Sequence, residues 1–186
     1  MILVWICHAT LLNGEHSPLN SFYEPLKKNL ILKMEINFFQ SQFGNEYNSS
    51  GIFYVVDYRR YVYDSQSIKM IVEDSLVTTI NNETRQLVYS SIDNNHLSIL
   101  DIISGNLDNI ELMDQKSKHT YHFRVPKLEY EGIFEFDKYS SQLKMVNLFI
   151  DKDQSVMVEV KSVQYLDYYD MSIINGENFE VIDLRE

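Results

Sequence analysis

Hydrophobic residues recur along the chain at two spacings. In "LILKMEINFF", residues 30–39, Leu30, Leu32, Met34, Ile36 and Phe38 alternate with Ile31, Lys33, Glu35, Asn37 and Phe39, which predicts a strand with one wholly apolar face. Short runs of strand character follow: "IFYVV", "RYVYD", "IKMIVED", "LVTTI" and "RQLVYSSI". After an interruption come "IELMD", "TYHFRV", "GIFEFD", "LKMVNLFID", "VMVEVKSVQYL" and "NFEVID". Polar stretches mark the turns between them. "NSSG" at 48–51 is expected to link the first long strand to the second, residues 57–59 and 81–83 to close the next hairpins, and "DKYSSQ" and "DKDQS" to join later strands. The connections of the first half are too short for parallel crossovers, so the strands should form an antiparallel meander.

Two segments carry the three- and four-residue steps of a helix. In "SPLNSFYEPLKK", residues 17–28, Ser-Pro is a cap and first-turn pair, and Leu19, Phe22, Tyr23 and Leu26 share a face; Pro25 is expected to divide the helix. In "NNHLSILDIISGN", residues 94–106, Leu97, Ile99, Leu100, Ile102 and Ile103 form the apolar face and Gly105 the stop. The fold class is therefore mainly β (α+β). A sheet of this many strands must curl, and its apolar concave face needs a cover, for which these two helices are the candidates.

Composition sharpens this picture. The 186 residues suffice for one domain, expected over 17–186, and 45% hydrophobic with 23% charged residues excludes global disorder. Tyr 13 and Phe 10 against Gly 6 and Pro 3 favour strands and large apolar surfaces. A net charge of -11, spread along the chain, would repel a phosphate backbone, so no nucleic-acid partner is expected. One cysteine, Cys7, excludes an internal disulfide framework. Residues 1–12 are mostly apolar, about the length of a signal-peptide core without its basic leader, and residues 1–16 are expected to be a signal-peptide remnant.

The chain lacks the G-x-S-x-G, H-E-x-x-H, phosphate-loop and dinucleotide-turn signatures, so no enzymatic activity and no cofactor are expected. His119 and His122, with Asp114, offer the nearest approach to a metal set, but residues three apart on a strand face opposite ways, and no metal site is expected. Asp151 and Asp153 lack the glycine and distal glutamate of a calcium loop and fit a hairpin turn. His8, His16 and His96 are scattered, with loop or surface positions expected.

The order of these pieces is informative. A first helix, a strand ending in "FFQSQFG", a Gly-led strand "GIFYVVDYRRYVYD", then "IKMIVEDSLVTTINNETRQLVY" and the helix "LSILDIISGN" resembles the outer-membrane lipoprotein carrier family, LolA and its relatives. "FRVPK", "FEFD", "LKMVNLFIDKDQSVMVEVKSVQYLD" and "NFEVID" continue the resemblance to about residue 183. It implies an incomplete antiparallel β-barrel whose short helices form a lid over an apolar cavity for lipoprotein acyl chains. It also implies a periplasmic, monomeric carrier without covalent chemistry, loaded by an inner-membrane lipoprotein-releasing transporter and unloaded to an outer-membrane acceptor. Carried over by position, Gly51 matches the glycine opening the second strand, Tyr54 a bulky residue three places on, Arg60 a basic residue ahead of the aromatics Tyr61 and Tyr63, and Asp74 a hairpin aspartate whose following glycine is here Ser75. Residues 97–103 match the lid helix.

The expected cavity and lid residues are Tyr54, Tyr61, Tyr63, Ile99, Ile102 and Ile103. The family places a basic residue and a proline where this chain has Asp57 and Tyr58, and an ionised Asp57 cannot donate to a lid. Arg59 and Arg60 are the candidate lid latch in its place. An acidic immunity or inhibitor-type protein that binds a basic partner is the alternative from another class, and a hydrolase on the same sheet comes last because no nucleophile and base pair is visible.

Overall fold

A computed structural model describes residues 17–92, 97–113, 117–172 and 178–185. The expected signal remnant at 1–16, with Cys7, His8 and His16, lies outside the described residues, as do His96 and Asp114.

Helix α1 (Pro18–Tyr23) starts where Ser-Pro places it: the Ser17 hydroxyl accepts a hydrogen bond from the Asn20 amide at 3.2 Å. Pro25 then converts the chain to a 3₁₀ turn (Glu24–Lys28), closed by Asn29 in the left-handed region at φ 60°. Six strands follow as a meander: β1 (Ile31–Gln42), β2 (Asn45–Asp57), β3 (Arg60–Ser65), β4 (Ile68–Glu73), β5 (Leu76–Asn81) and β6 (Gln86–Ser91). Helix α2 (Ile99–Ile103) separates them from a second meander of β7 (Glu111–Leu112), β8 (Thr120–Val125), β9 (Tyr130–Phe136), β10 (Leu143–Asp151) and β11 (Gln154–Leu166). β12 (Glu180–Asp183) is the last strand of the described residues.

The twelve strands of the described residues form one sheet, in the order β12-β6-β5-β4-β3-β2-β1-β11-β10-β9-β8-β7. Each meander is antiparallel, and β1 joins them by pairing with β11 from Ile31↔Leu166 to Gln42↔Gln154, with a register shift at Glu35/Ile36. β12 is parallel to β6. This is the large, open, mostly antiparallel sheet that the alternation predicts.

One expected turn is corrected. Residues 48–51 are not a loop: they lie within β2, paired with β1 from Gly51↔Ile36 to Asn48↔Phe39. The chain reverses instead at Phe43 and Gly44, at φ 50° and 80°. The ladder is made by backbone groups, so the polar side chains of Asn48, Ser49 and Ser50 extend an exposed hairpin without breaking it. Gly51 has a different purpose. A Cβ there would lie 2.5 Å from the Asp64 carbonyl oxygen and 2.8 Å from the Tyr63 ring.

The main core sits on the concave face. Leu32, Met34, Ile36, Phe53, Val55, Phe123, Phe134, Phe136, Val146 and Val158 are buried there against Leu19 and Phe22 of α1 and Ile99, Leu100, Ile102 and Ile103 of α2. Both helices thus cover the face that needs a cover. Across β2, β3 and β4, Phe53 pairs with Tyr63 and Tyr63 with Met70, so these residues share that face, whereas Tyr54, Val62 and Ile71 share the other. Val62 and Ile71 are nonetheless buried, as are Thr78 and Leu87 further along the convex side. The chain leaving β11 crosses that side, and Tyr169 stacks on Tyr54 with ring centroids 3.8 Å apart.

Candidate functional site: a lidded apolar cavity

A cavity of about 700 Å³ remains between the concave face and the α2 segment. Phe38 of β1, Met70 and Val72 of β4, Val77 of β5, Leu148 and Ile150 of β10 and Val156 of β11 supply its wall, with Tyr130 and Ile92 beside them. Residues 97–101 supply its roof. The lining is mainly apolar because alternate residues of each strand face inward and most of the inward set is Phe, Met, Val, Leu and Ile, with Gln40 and Ser91 as polar members. The volume falls within the range of roughly 300–1,000 Å³ usual for sites that enclose small apolar ligands.

Helix α2 has one turn and a half, so its position depends on bonds to the rest of the molecule. Ser98 and Asp101 form a reciprocal capping box: the Asp101 amide donates to the Ser98 hydroxyl at 3.1 Å, and the Ser98 amide donates to the Asp101 carboxylate at 2.8 Å. The other Asp101 oxygen accepts the Tyr61 hydroxyl at 2.6 Å, which ties the helix to β3. At the opposite end the Tyr23 hydroxyl donates to the Ile103 carbonyl at 2.9 Å, and the Ser104 hydroxyl lies 3.2 Å from the Tyr58 carbonyl. Burial pushes the Tyr61 phenol far above its ordinary range, and the Asp101 charge adds to this. Burial does the same to Tyr23, with a further contribution from Tyr165. Both phenols therefore stay protonated as donors.

Of the residues named from sequence, Tyr61 and Ile99 line this cavity. Tyr63 faces the same side, but its hydroxyl lies 2.7 Å from that of Ser49 and its ring packs over Gly51, away from α2. Ile102 and Ile103 are fully buried in the core beneath the helix, and Leu97 and Leu100 take the roof positions instead. The placement of Tyr54 in the cavity wall is corrected: it stands on the convex face against Tyr169. A hairpin turning at 58–59 pairs Val55 with Tyr61 and Phe53 with Tyr63, which leaves Tyr54 with Val62 on the other side.

The arginine latch is likewise corrected. Arg60 forks onto Asp57 at 2.8 Å and 2.7 Å inside its own turn, and Arg59 lies over the Tyr58 ring at 5.2 Å. Neither has a hydrogen bond or ion pair to α2 among the described contacts, whereas Tyr61 and Tyr23 do, and Ser104 at the end of α2 reaches the Tyr58 carbonyl. Asp57 is an acceptor that shapes the turn, taking the Arg59 amide at 2.9 Å as well. The sequence signal for the true tie was Ser98-x-x-Asp101, a capping box at the head of the apolar run.

No family model matches the chain, and no curated protein matches it significantly. Among solved structures, it is similar in fold to an uncharacterised conserved protein from Thermus thermophilus, at 11% identity and TM-score 0.49, covering 89% of this chain and 96% of that one. A DUF1329 family protein from Desulfovibrio piger is similar at 9% identity and TM-score 0.48, covering 81% and 94%. A LolA superfamily protein from Nitrosomonas europaea is similar at 5% identity and TM-score 0.43, covering 82% and 94%. At these identities no activity transfers from them, and the cavity has to be interpreted from its own residues.

Proposed function

We propose that the protein is a non-enzymatic carrier that takes acyl chains into the cavity beneath α2. The observation that carries this reading is the mainly apolar, partly open cavity of about 700 Å³ under a helix of five residues. Each methylene moved from water into such a space contributes about 0.8 kcal/mol, so a long chain is held without a charged contact. A short helix tied at a few points opens at low cost, which suits loading and release. In keeping with the resemblance to lipoprotein carriers, we place the protein in the periplasm as a monomer, moving lipoprotein acyl chains from an inner-membrane transporter to an outer-membrane acceptor.

The test is native mass spectrometry of the protein purified from cells, together with titration by a fluorescent fatty acid. Co-purifying lipid and saturable binding are expected. A folded protein with no lipid and no fatty-acid binding would overturn the reading, and a tightly held basic protein in its place would support the acidic interaction module.

A further inference from the structure

A second cavity of about 500 Å³ adjoins the apolar one, and the two share Tyr61, Val72, Ile92, Leu97 and Asp101. Its remaining lining is of another kind: Arg59, Asp74, Ser75, Asn106, Asp108 and Asn109, with Tyr58. Three connections meet there, the β2–β3 turn, the β4–β5 turn and the segment after α2. They are bonded to one another rather than loosely apposed. The Asp74 amide donates to the Arg59 carbonyl at 2.9 Å, the Ile92 amide to the Ser75 carbonyl at 2.9 Å, and Ser104 reaches the Tyr58 carbonyl. Asp74 holds the left-handed conformation, φ 55°, that brings the turn round. Among the described residues, Arg59 is the cation that lines this chamber, opposite in sign to Asp74, Asp101 and Asp108, and its neighbour Arg60 is engaged with Asp57.

An apolar chamber opening into a preformed polar one matches a ligand with a hydrocarbon tail and a compact head. We infer that the head carries both signs of charge: a zwitterionic amphiphile of the phosphoethanolamine type, its phosphate towards Arg59 and its ammonium towards Asp74 and Asp108. A purely anionic head would meet three carboxylates, Asp74, Asp101 and Asp108, for one guanidinium, and an uncharged head would gain no ion pair from them. The inference rests on the carrier reading and adds the class of ligand to it.

The experiment displaces a bound fluorescent fatty acid with three probes of equal chain length: lysophosphatidylethanolamine, lysophosphatidylglycerol and the fatty alcohol. The zwitterionic probe is expected to bind about tenfold more tightly than either of the others. Arg59→Ala and, separately, Asp108→Asn should each bring that ratio towards one, with folding checked by circular dichroism. Equal affinities for the three probes, or a ratio untouched by both variants, would overturn the inference while leaving the carrier reading intact. Failure of all three probes and of the fatty acid to bind would overturn both.

Discussion

The Tyr61 hydroxyl donates to the Asp101 carboxylate at 2.6 Å, across the boundary shared by the two cavities. This bond joins a strand of the wall to the cap of the roof, so its loss should act on opening rather than on the depth of the apolar space. Tyr61→Phe keeps the ring and removes the donor. A hydrogen bond to a charged group is worth about 1.5–3 kcal/mol, so release of a fluorescent fatty acid should accelerate by about tenfold or more. Hydrogen exchange over 99–103 should rise in parallel. Unchanged release and exchange would show that α2 is held elsewhere.

Val77 is half-buried and faces the large cavity. Val77→Phe should fill open volume instead of overpacking a filled core, so stability should stay within about 1 kcal/mol while fatty-acid affinity falls by about tenfold or more. Thermal unfolding and equilibrium titration of one preparation separate the two quantities.

Gly132 lies under the Phe123 ring. A Cβ at this position would lie 2.2 Å from Phe123 Cζ and 2.6 Å from the Asn147 carbonyl oxygen, a backbone atom. Gly132→Ala must therefore displace a fully buried ring and a neighbouring strand, at a cost of about 1–3 kcal/mol. Denaturant unfolding should show a lower midpoint at an unchanged slope.

Tyr169 on the convex side has its phenol raised from 10.0 to about 12, first by burial and then by the charges of Tyr54, Asp64 and Asp170. Below pH 10 the phenol is protonated in both folded and unfolded chains and stability does not depend on it. Between pH 10 and about 12 the unfolded chain ionises and the folded one does not, so stability falls as pH rises. Tyr169→Phe should lessen the slope of this alkaline decline, measured as Tm against pH. An identical slope would mean that the ring is solvated in solution.

The regular elements were legible because burial on one side imposes period two on strands and steps of three and four on helices. That is why Pro25 could be identified as the break after α1, and 97–103 as the run containing α2. Phe43-Gly44 was not legible as a turn. Asn48-Ser49-Ser50-Gly51 has the stronger turn composition, and nothing local reveals that its backbone is held by a partner strand. The position of Tyr54 was hidden for a related reason. β2 is apolar on both faces because a distant segment carrying Tyr169 covers the back of the sheet, and alternation has meaning only where one side is wet. Arg59 and Arg60 looked like latch residues by type, but the carboxylate two or three residues before them is the nearer partner. The parallel pairing of β12 with β6 joins segments far apart in the chain and left no mark in either of them.

The pairing of β1 with β11 has a consequence in time. β1 must wait for β11 before both its edges are satisfied, and at about 5–20 residues per second that interval lasts seconds. During it, Phe38 and the other inward side chains of β1 have only half of their neighbours. Sheets closed by such distant partners fold slowly and expose unpaired edges while they do. The pairing that joins the two meanders is therefore also the last long-range contact that β1 acquires during synthesis.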